Sequence, residues 1–251
     1  MRNVKLEQFY TIDENADFCI SKLNLSDYDL IIEPSAGNGS FSKKLNCLAY
    51  DIAPTGNDII TQDYLVLDTS SFANKKVLVI GNPPFGRQSS LAVKFINKSI
   101  YAKTIAFILP NSFKKESMMN RLDKHIHLEE IYSLPTTKFY FEKEEFDIPC
   151  SFFVFSVKEE ERKEEIVPVV TDFTFTTKEK ADNSIRRVGY YAGRIEELNV
   201  SPSSHYFIKW NTDTAKENFS KLKFEEAENT VGSRSLSKKE IIRNYYKQFN
   251  S

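Results

Sequence analysis

Asn82-Pro83-Pro84-Phe85 is the segment of this 251-residue chain best suited to chemistry. It follows the apolar run Val77-Leu78-Val79-Ile80-Gly81, so a buried strand delivers it to the end of a sheet. Two prolines fix the backbone and remove two N–H donors. The Asn82 side-chain carbonyl and the Pro83 main-chain carbonyl then form an acceptor pair for both hydrogens of a planar NH2 group. Phe85 offers a stacking face for the ring that carries the amine. A conjugated amine is a poor nucleophile because its lone pair is delocalised. Accepting both hydrogens favours a pyramidal nitrogen and localises that pair, which stabilises developing charge by fixed dipoles without a strong base. The plain structural alternative is a polyproline turn that ends a strand.

Glu33-Pro34-Ser35-Ala36-Gly37-Asn38-Gly39 lies between a strand and a helix signal. Glycines there let the backbone pass close to a ligand and present main-chain amides to it. A second strand ends at Asp51, 18 positions after Glu33, near the roughly 20-residue interval at which an acid grips a ribose hydroxyl in nucleotide-type sites. Asp63 is a third acid in a loop. Its carboxylate is placed to accept from an adenine amine, with Tyr64 packing on the ring. Taken singly, Asp51 or Asp63 reads more readily as a surface loop acid than as a ligand contact. Three acids at successive loop starts of one sheet argue for a shared site.

Positioning these residues takes an alternating architecture. Residues 29–33, 47–51, 77–81, 104–109 and 128–134 read as short apolar strands, with helices expected over 40–45, 89–99 and 114–125. Continuous apolar strands separated by helices imply an α/β fold with a mainly parallel sheet covered on both faces. Residues 138–145 and 146–157, the latter bent at Pro149, read as an antiparallel edge hairpin. At residue 158 a charge run, Lys158-Glu159-Glu160-Glu161-Arg162-Lys163-Glu164-Glu165, marks a boundary. The expected domains are therefore 1–157, carrying the site, and 158–251, a small α+β module. In the latter, strands are expected over 172–176, 185–195 and 205–210, and helices over 213–224 and 237–249.

Composition narrows the function classes. The longest apolar runs are too short to span a bilayer. Met1-Arg2-Asn3-Val4-Lys5-Leu6-Glu7 has no apolar core of the kind that leads a secretory signal. Three cysteines without a CxxC spacing fit a reducing, cytoplasmic location and argue against a disulfide framework or zinc knuckle; three histidines without ligand spacing leave no metal site to expect. Net charge is −1, so any nucleic-acid binding needs a local basic face. From residue 158 onward, seventeen basic residues stand against sixteen acidic ones. Arg186 and Arg187 beside Tyr190 and Tyr191 are a candidate patch, since strand-borne Arg and Tyr suit single-strand or groove contacts. The basic terminal stretch reads either as a backbone path or as the solvated face of an amphipathic helix.

In this order, these motifs resemble the Class I S-adenosylmethionine-dependent amino-methyltransferases that act on N6 of adenine. Glu33 to Gly39 resembles their first motif, and Asn82 to Phe85 their catalytic Asn-Pro-Pro-aromatic motif. Gln8-Phe9-Tyr10-Thr11 resembles the segment that closes over the methionine end of the cofactor. The motif order is similar to that of the gamma class, and the resemblance covers residues 5–157. It implies a Rossmann-like fold and S-adenosylmethionine as cofactor. It assigns Tyr10, Thr11, Glu33, Pro34, Ser35, Ala36, Gly37, Gly39, Asp51, Ile52, Asp63, Tyr64 and Asn82 to cofactor contacts. Asn82, Pro83, Pro84 and Phe85 would be catalytic. Lys138-Phe139-Tyr140-Phe141 resembles the segment whose aromatic stacks on a flipped base, Phe139 or Phe141 here, and Arg87 lies in a loop that closes over the target strand. DNA is the expected partner. The alternatives are an adenine-N6 RNA methyltransferase with the same site, and a catalytically silent nucleic-acid-binding subunit that keeps the fold. Some protein-glutamine methyltransferases share the motif, but they do not need a base-stacking aromatic. The C-terminal module, about 94 residues, is smaller than the target-recognition domains of gamma-class enzymes.

Overall fold

Val77-Leu78-Val79-Ile80 and Thr104-Ile105-Ala106-Phe107-Ile108-Leu109 are apolar at every successive position, and every residue of both runs is buried. A strand with both faces covered belongs in the middle of a sheet flanked on two sides. The computed structural model describes residues 9–141, 144–163, 166–224 and 234–249, with backbone only at 141 and 144. The chain divides into two units, Met1–Arg162 and Lys163–Ser251.

In the first unit the strands are β1 (Leu30–Glu33), β2 (Leu48–Asp51), β3 (Ile60–Thr61), β4 (Val77–Gly81), β5 (Thr104–Pro110), β6 (Ile126–Ser133), β7 (Lys138–Phe141), β8 (Glu144–Asp147) and β9 (Cys150–Val157). Seven form one sheet in the order β3-β2-β1-β4-β5-β9-β6. Neighbours from β3 to β5 run parallel, whereas β9 runs antiparallel to both β5 and β6. This is a Rossmann-like α/β sheet. The chain moves outward from β1 through β2 to β3, then returns to the other side of β1 at β4. The carboxyl ends of β1 and β4 therefore flank the point where strand order reverses, the usual crevice for a ligand in such sheets.

Helix α1 (Asp13–Ser21) buries Ala16 and Cys19 ahead of β1. Helix α2 (Ser90–Lys98) links β4 to β5 and buries Ala92, Val93, Phe95 and Ile96, one face at helical spacing. Two expected helices are much shorter. Residues 40–45 make a single turn, with Lys43 N donating to Gly39 O and Leu45 N to Phe41 O, each at 3.1 Å. Six residues before the next strand are too few to offset helix nucleation. Over 114–125 only α3 (Glu116–Met119) is helical. Asp123 interrupts the rest: its carboxylate accepts from His125 N at 2.9 Å, a local bond that competes with helix.

The antiparallel part also differs from an edge hairpin. Strands β7 and β8 pair as a separate two-stranded sheet, and β9 lies inside the main sheet between β5 and β6. Phe152 and Phe153 are adjacent and both wholly buried, so both faces of β9 need cover. The first unit runs through Arg162 because its guanidinium donates to the carbonyls of Met119, Leu122, Asp123 and Ile126.

The second unit holds β10 (Phe173–Thr176), β11 (Asn183–Arg186), β12 (Ile195–Glu196) and β13 (His205–Trp210) in the antiparallel order β10-β13-β11-β12. With them are α4 (Ala215–Ser220) and α5 (Lys238–Phe249). Its core gathers Phe173, Ile185, Ile208, Phe219, Leu236, Ile241 and Tyr245. A reciprocal capping box starts α5: Ser237 N donates to Glu240 Oε2 at 2.6 Å and Glu240 N to Ser237 Oγ at 3.2 Å.

Candidate active site

Strand β1 ends at Glu33, and the chain turns through Gly37 and Gly39, whose φ of +54° and +85° are left-handed. The turn is held from β2. Gly37 N donates to Asp51 Oδ2 and Ala53 N to Asp51 Oδ1, both at 2.8 Å. Thr55 N and Gly56 N donate back to Gly37 O at 2.9 and 3.0 Å. Asp51 thus ties the ends of β1 and β2 together, and each of its oxygens keeps a second lone pair. A Cβ on Gly37 would stand 3.0 Å from Cε1 of Tyr10, so the Tyr10 ring lies against this loop. Ser40 Oγ donates to Thr11 O at 2.7 Å and fixes the same segment.

Glu33 is buried. Its Oε2 accepts from Ser42 N at 2.8 Å, closing the turn that follows the glycines. Burial pushes its carboxyl up to about 7, against the opposing pull of the Ser42 hydrogen bonds.

Asn82 stands one residue past β4, beside the glycine turn. Ser35 Oγ donates to Asn82 O at 3.2 Å, linking the two segments. Asn82 Nδ2 donates to Phe9 O at 3.0 Å, which sets the side-chain amide so that Oδ1 is the remaining acceptor. That Oδ1 is shielded from solvent and has no hydrogen-bond partner among the described residues. An orphaned buried acceptor costs about 1–3 kcal/mol and calls for an explanation. Pro83 is buried as well. Phe85 is buried too, and its carbonyl accepts from Leu91 N and Ala92 N at 3.0 and 3.3 Å at the start of α2. The intervening loop carries the exposed Arg87. Gln88 and Ser89, at φ of 52° and 57°, are non-glycine residues in the left-handed region.

Glu33 to Gly39, Asp51, Asn82 and the Phe9–Thr11 segment therefore converge at one end of the sheet. Gln8 lies outside the described residues. Ile52 follows Asp51 and is 57% exposed. Asp63 comes to the same end, because Gln62 N donates to Asp51 O at 2.9 Å, but its Oδ1 accepts from Leu65 N at 2.9 Å and closes a turn. Tyr64 does not join the site. It is 1% exposed, donates or accepts through its hydroxyl with Ser99 and Tyr101, and stacks on Phe95 at 5.6 Å. Phe139 is wholly buried, so it presents no open face to a base, and the side chain of Phe141 lies outside the described residues. Strand β7 does reach the site through its backbone: Tyr10 N donates to Tyr140 O at 2.8 Å.

In the second unit, Arg186 is held by Glu196, its Nε donating to Oε1 at 2.8 Å and its Nη2 to Oε2 at 3.4 Å. His205 Nε2 lies 3.0 Å from the same carboxylate. Arg186 is thus committed within the fold. Arg187 lies over the Tyr206 ring, 5.1 Å from its centroid. The cations against Tyr190 and Tyr191 are Arg234 and Arg194, at 4.8 and 5.5 Å. Arg194 lies three positions past Tyr191, visible as a spacing; Arg234 is brought to Tyr190 by the fold.

No protein-family model matches the chain, and no curated protein does. Solved structures do show likeness. A candidate RNA methyltransferase from Pyrococcus horikoshii aligns with 18% identity and a TM-score of 0.43, over 62% of this chain and 90% of its own. The modification subunit of a candidate type I restriction enzyme from Vibrio vulnificus aligns with 14% identity and a TM-score of 0.46, over 62% of this chain and 46% of its own. The tRNA m1G37 methyltransferase of M. jannaschii aligns with 19% identity and a TM-score of 0.38, over 61% and 52%. The chain spans about half the length of the latter two.

Proposed function

We propose that the chain is an S-adenosylmethionine-dependent methyltransferase acting on N6 of adenine in nucleic acid, with DNA as its substrate. The observation that carries this reading is the orphaned Oδ1 of Asn82, aligned by Phe9 O and set beside the glycine turn. A catalytically silent subunit has no use for a buried acceptor held at such a cost.

The residues present fit the cofactor. The glycine turn offers close backbone approach, Asp51 spare lone pairs for ribose hydroxyls, and Ile52 an exposed apolar surface for a ring. Tyr10 and Thr11 lie against the turn to close it. When bound, S-adenosylmethionine supplies an activated methyl on a cationic sulfur. Asn82 Oδ1 accepts one hydrogen of the target amine and the Pro83 carbonyl accepts the other. This localises the nitrogen lone pair, and the fixed dipoles need no reorganisation during attack. An adenine edge inside a duplex is stacked and paired, so the base must be unpaired or flipped to reach Asn82.

Tritiated-methyl transfer to duplex DNA, mismatched DNA, total RNA and a protein mixture tests the reading. Labelled N6-methyladenine in DNA, increasing when the target adenine is mispaired, is the expected result. Label confined to RNA would replace the substrate, and label confined to protein would overturn the assignment to a nucleobase.

A further inference from the structure

Two tyrosines at the tip of one hairpin are the most exposed large rings of the second unit. Tyr190 is 73% and Tyr191 55% exposed, and their rings meet edge to face at 5.1 Å. The hairpin joins β11 to β12 and is well built. Gly193 N donates to Arg186 O at 2.7 Å, Arg194 N to Tyr191 O at 3.0 Å, and Gly189 N to Arg234 O at 2.8 Å. Gly189 and Gly193, at φ of 91° and 98°, turn the chain at either end of the tip. A tip fixed in this way holds its aromatic rings in water without collapse onto the core. Large exposed aromatic surface of this kind marks interaction sites.

Cations border the rings. Arg234 lies over Tyr190 and Arg194 over Tyr191; Arg187 and Lys238 lie 5.1 and 5.4 Å from the Tyr206 centroid. Neither Arg187 nor Arg194 has a carboxylate partner among the described residues. The open concavity of this unit has a different character. It is lined mostly by acids, Glu196, Glu197, Asp213 and Glu217, with Arg194 and Lys216 among them.

We infer that Tyr190 and Tyr191, flanked by Arg194 and Arg234, form a stacking platform for an unpaired nucleic-acid strand. A base stacks on the tyrosine face that these contacts leave open, and the flanking guanidiniums follow the phosphates. Stacking of this sort tolerates any base sequence and requires unpaired bases, because a duplex covers its own ring faces. The inference deepens the reading of the chain as a nucleic-acid methyltransferase and rests on it for its role, since an enzyme that works on an unstacked base gains from holding the strand open.

Binding of fluorescent single-stranded DNA, single-stranded RNA and duplex DNA to the full chain, measured by anisotropy without cofactor, tests it apart from methyl transfer. Single strands of either sugar should bind at least about tenfold tighter than the duplex. Tyr190→Ala with Tyr191→Ala should lose about tenfold or more, the scale of base–aromatic stacking, whereas Tyr190→Phe with Tyr191→Phe should retain affinity. Arg194→Gln should lower the salt dependence by about 0.7 in the log–log slope, the value for one phosphate on a single strand. Unchanged binding in the double alanine variant, an equal loss in Tyr246→Ala, or preference for duplex would overturn the platform. Tyrosine-dependent binding without any methyl transfer would leave the platform standing and remove the proposed function. Methyl transfer with tyrosine-independent binding would do the reverse.

Discussion

The side-chain amide of Asn82 donates to the main-chain carbonyl of Phe9 at 3.0 Å, across 73 positions of sequence. This single bond decides which end of the amide remains as an acceptor. It also ties the segment Phe9–Thr11 to the strand end that carries Pro83 and Pro84. The same segment lies against Gly37 through Tyr10 and bonds to Ser40 through Thr11. One short stretch of chain therefore couples the proposed cofactor cradle to the proposed amine acceptor.

Asp51 serves both the fold and the proposed ligand. Asp51→Asn keeps an acceptor for one of the two amides but sets an NH2 against the other. It should weaken S-adenosylmethionine binding by about 1.5–3 kcal/mol, the worth of hydrogen bonds to a charged group. Calorimetry on the folded variant checks this, and unchanged affinity would remove Asp51 from the cofactor site.

Tyr64 belongs to the core. Tyr64→Phe removes hydroxyl contacts to Ser99 at 2.7 Å and Tyr101 at 2.9 Å. It should cost about 1–2 kcal/mol of stability and leave cofactor affinity as it is. Denaturant unfolding and calorimetry on one preparation separate these effects; lost affinity at unchanged stability would return Tyr64 to the adenine pocket.

Glu33 makes the fold sensitive to pH. Burial raises its folded pKa to about 7 from 4.5. Below about 4.5 both states carry the proton. As pH rises through this window the unfolded chain ionises first, so stability falls, and above 7 the loss is complete at roughly 3 kcal/mol, from about 1.4 kcal/mol per pH unit. Glu33→Gln retains an acceptor for Ser42 N and cannot ionise. It should match the parent near pH 4.5 and exceed it at pH 8 in urea unfolding. An equal difference at both pH values would show that ionisation of Glu33 has no part in it.

Several features of this fold are legible along the chain. The unbroken apolar runs of β4 and β5 announce buried parallel strands, and Ser237 with Glu240 announces the start of α5. The meeting of the glycine turn with Asn82 follows once β1 and β4 are neighbours. Other features depend on long-range pairing that no local pattern carries. The Tyr10–Tyr140 bridge spans 130 positions. Arg186 is occupied only because β11 pairs with β12 and brings Glu196 alongside. Phe139 and Tyr140 alternate across one strand, and only the fold decides which of them is buried. Helix α1 is weakly amphipathic, with polar Asn15 buried and bonded to Thr136 O at 2.9 Å, so periodicity does not mark it.

The role of Asn82 as amine acceptor is read from the rate of methyl transfer from labelled S-adenosylmethionine to an oligonucleotide with one unpaired adenine, compared between the parent chain and Asn82→Ala. The parent should yield N6-methyladenine. Asn82→Ala should lose at least about 100-fold in turnover, the scale of removing one preorganised polar contact, with cofactor affinity retained. Equal turnover in the two proteins, or no methylated adenine from the parent, would contradict that role.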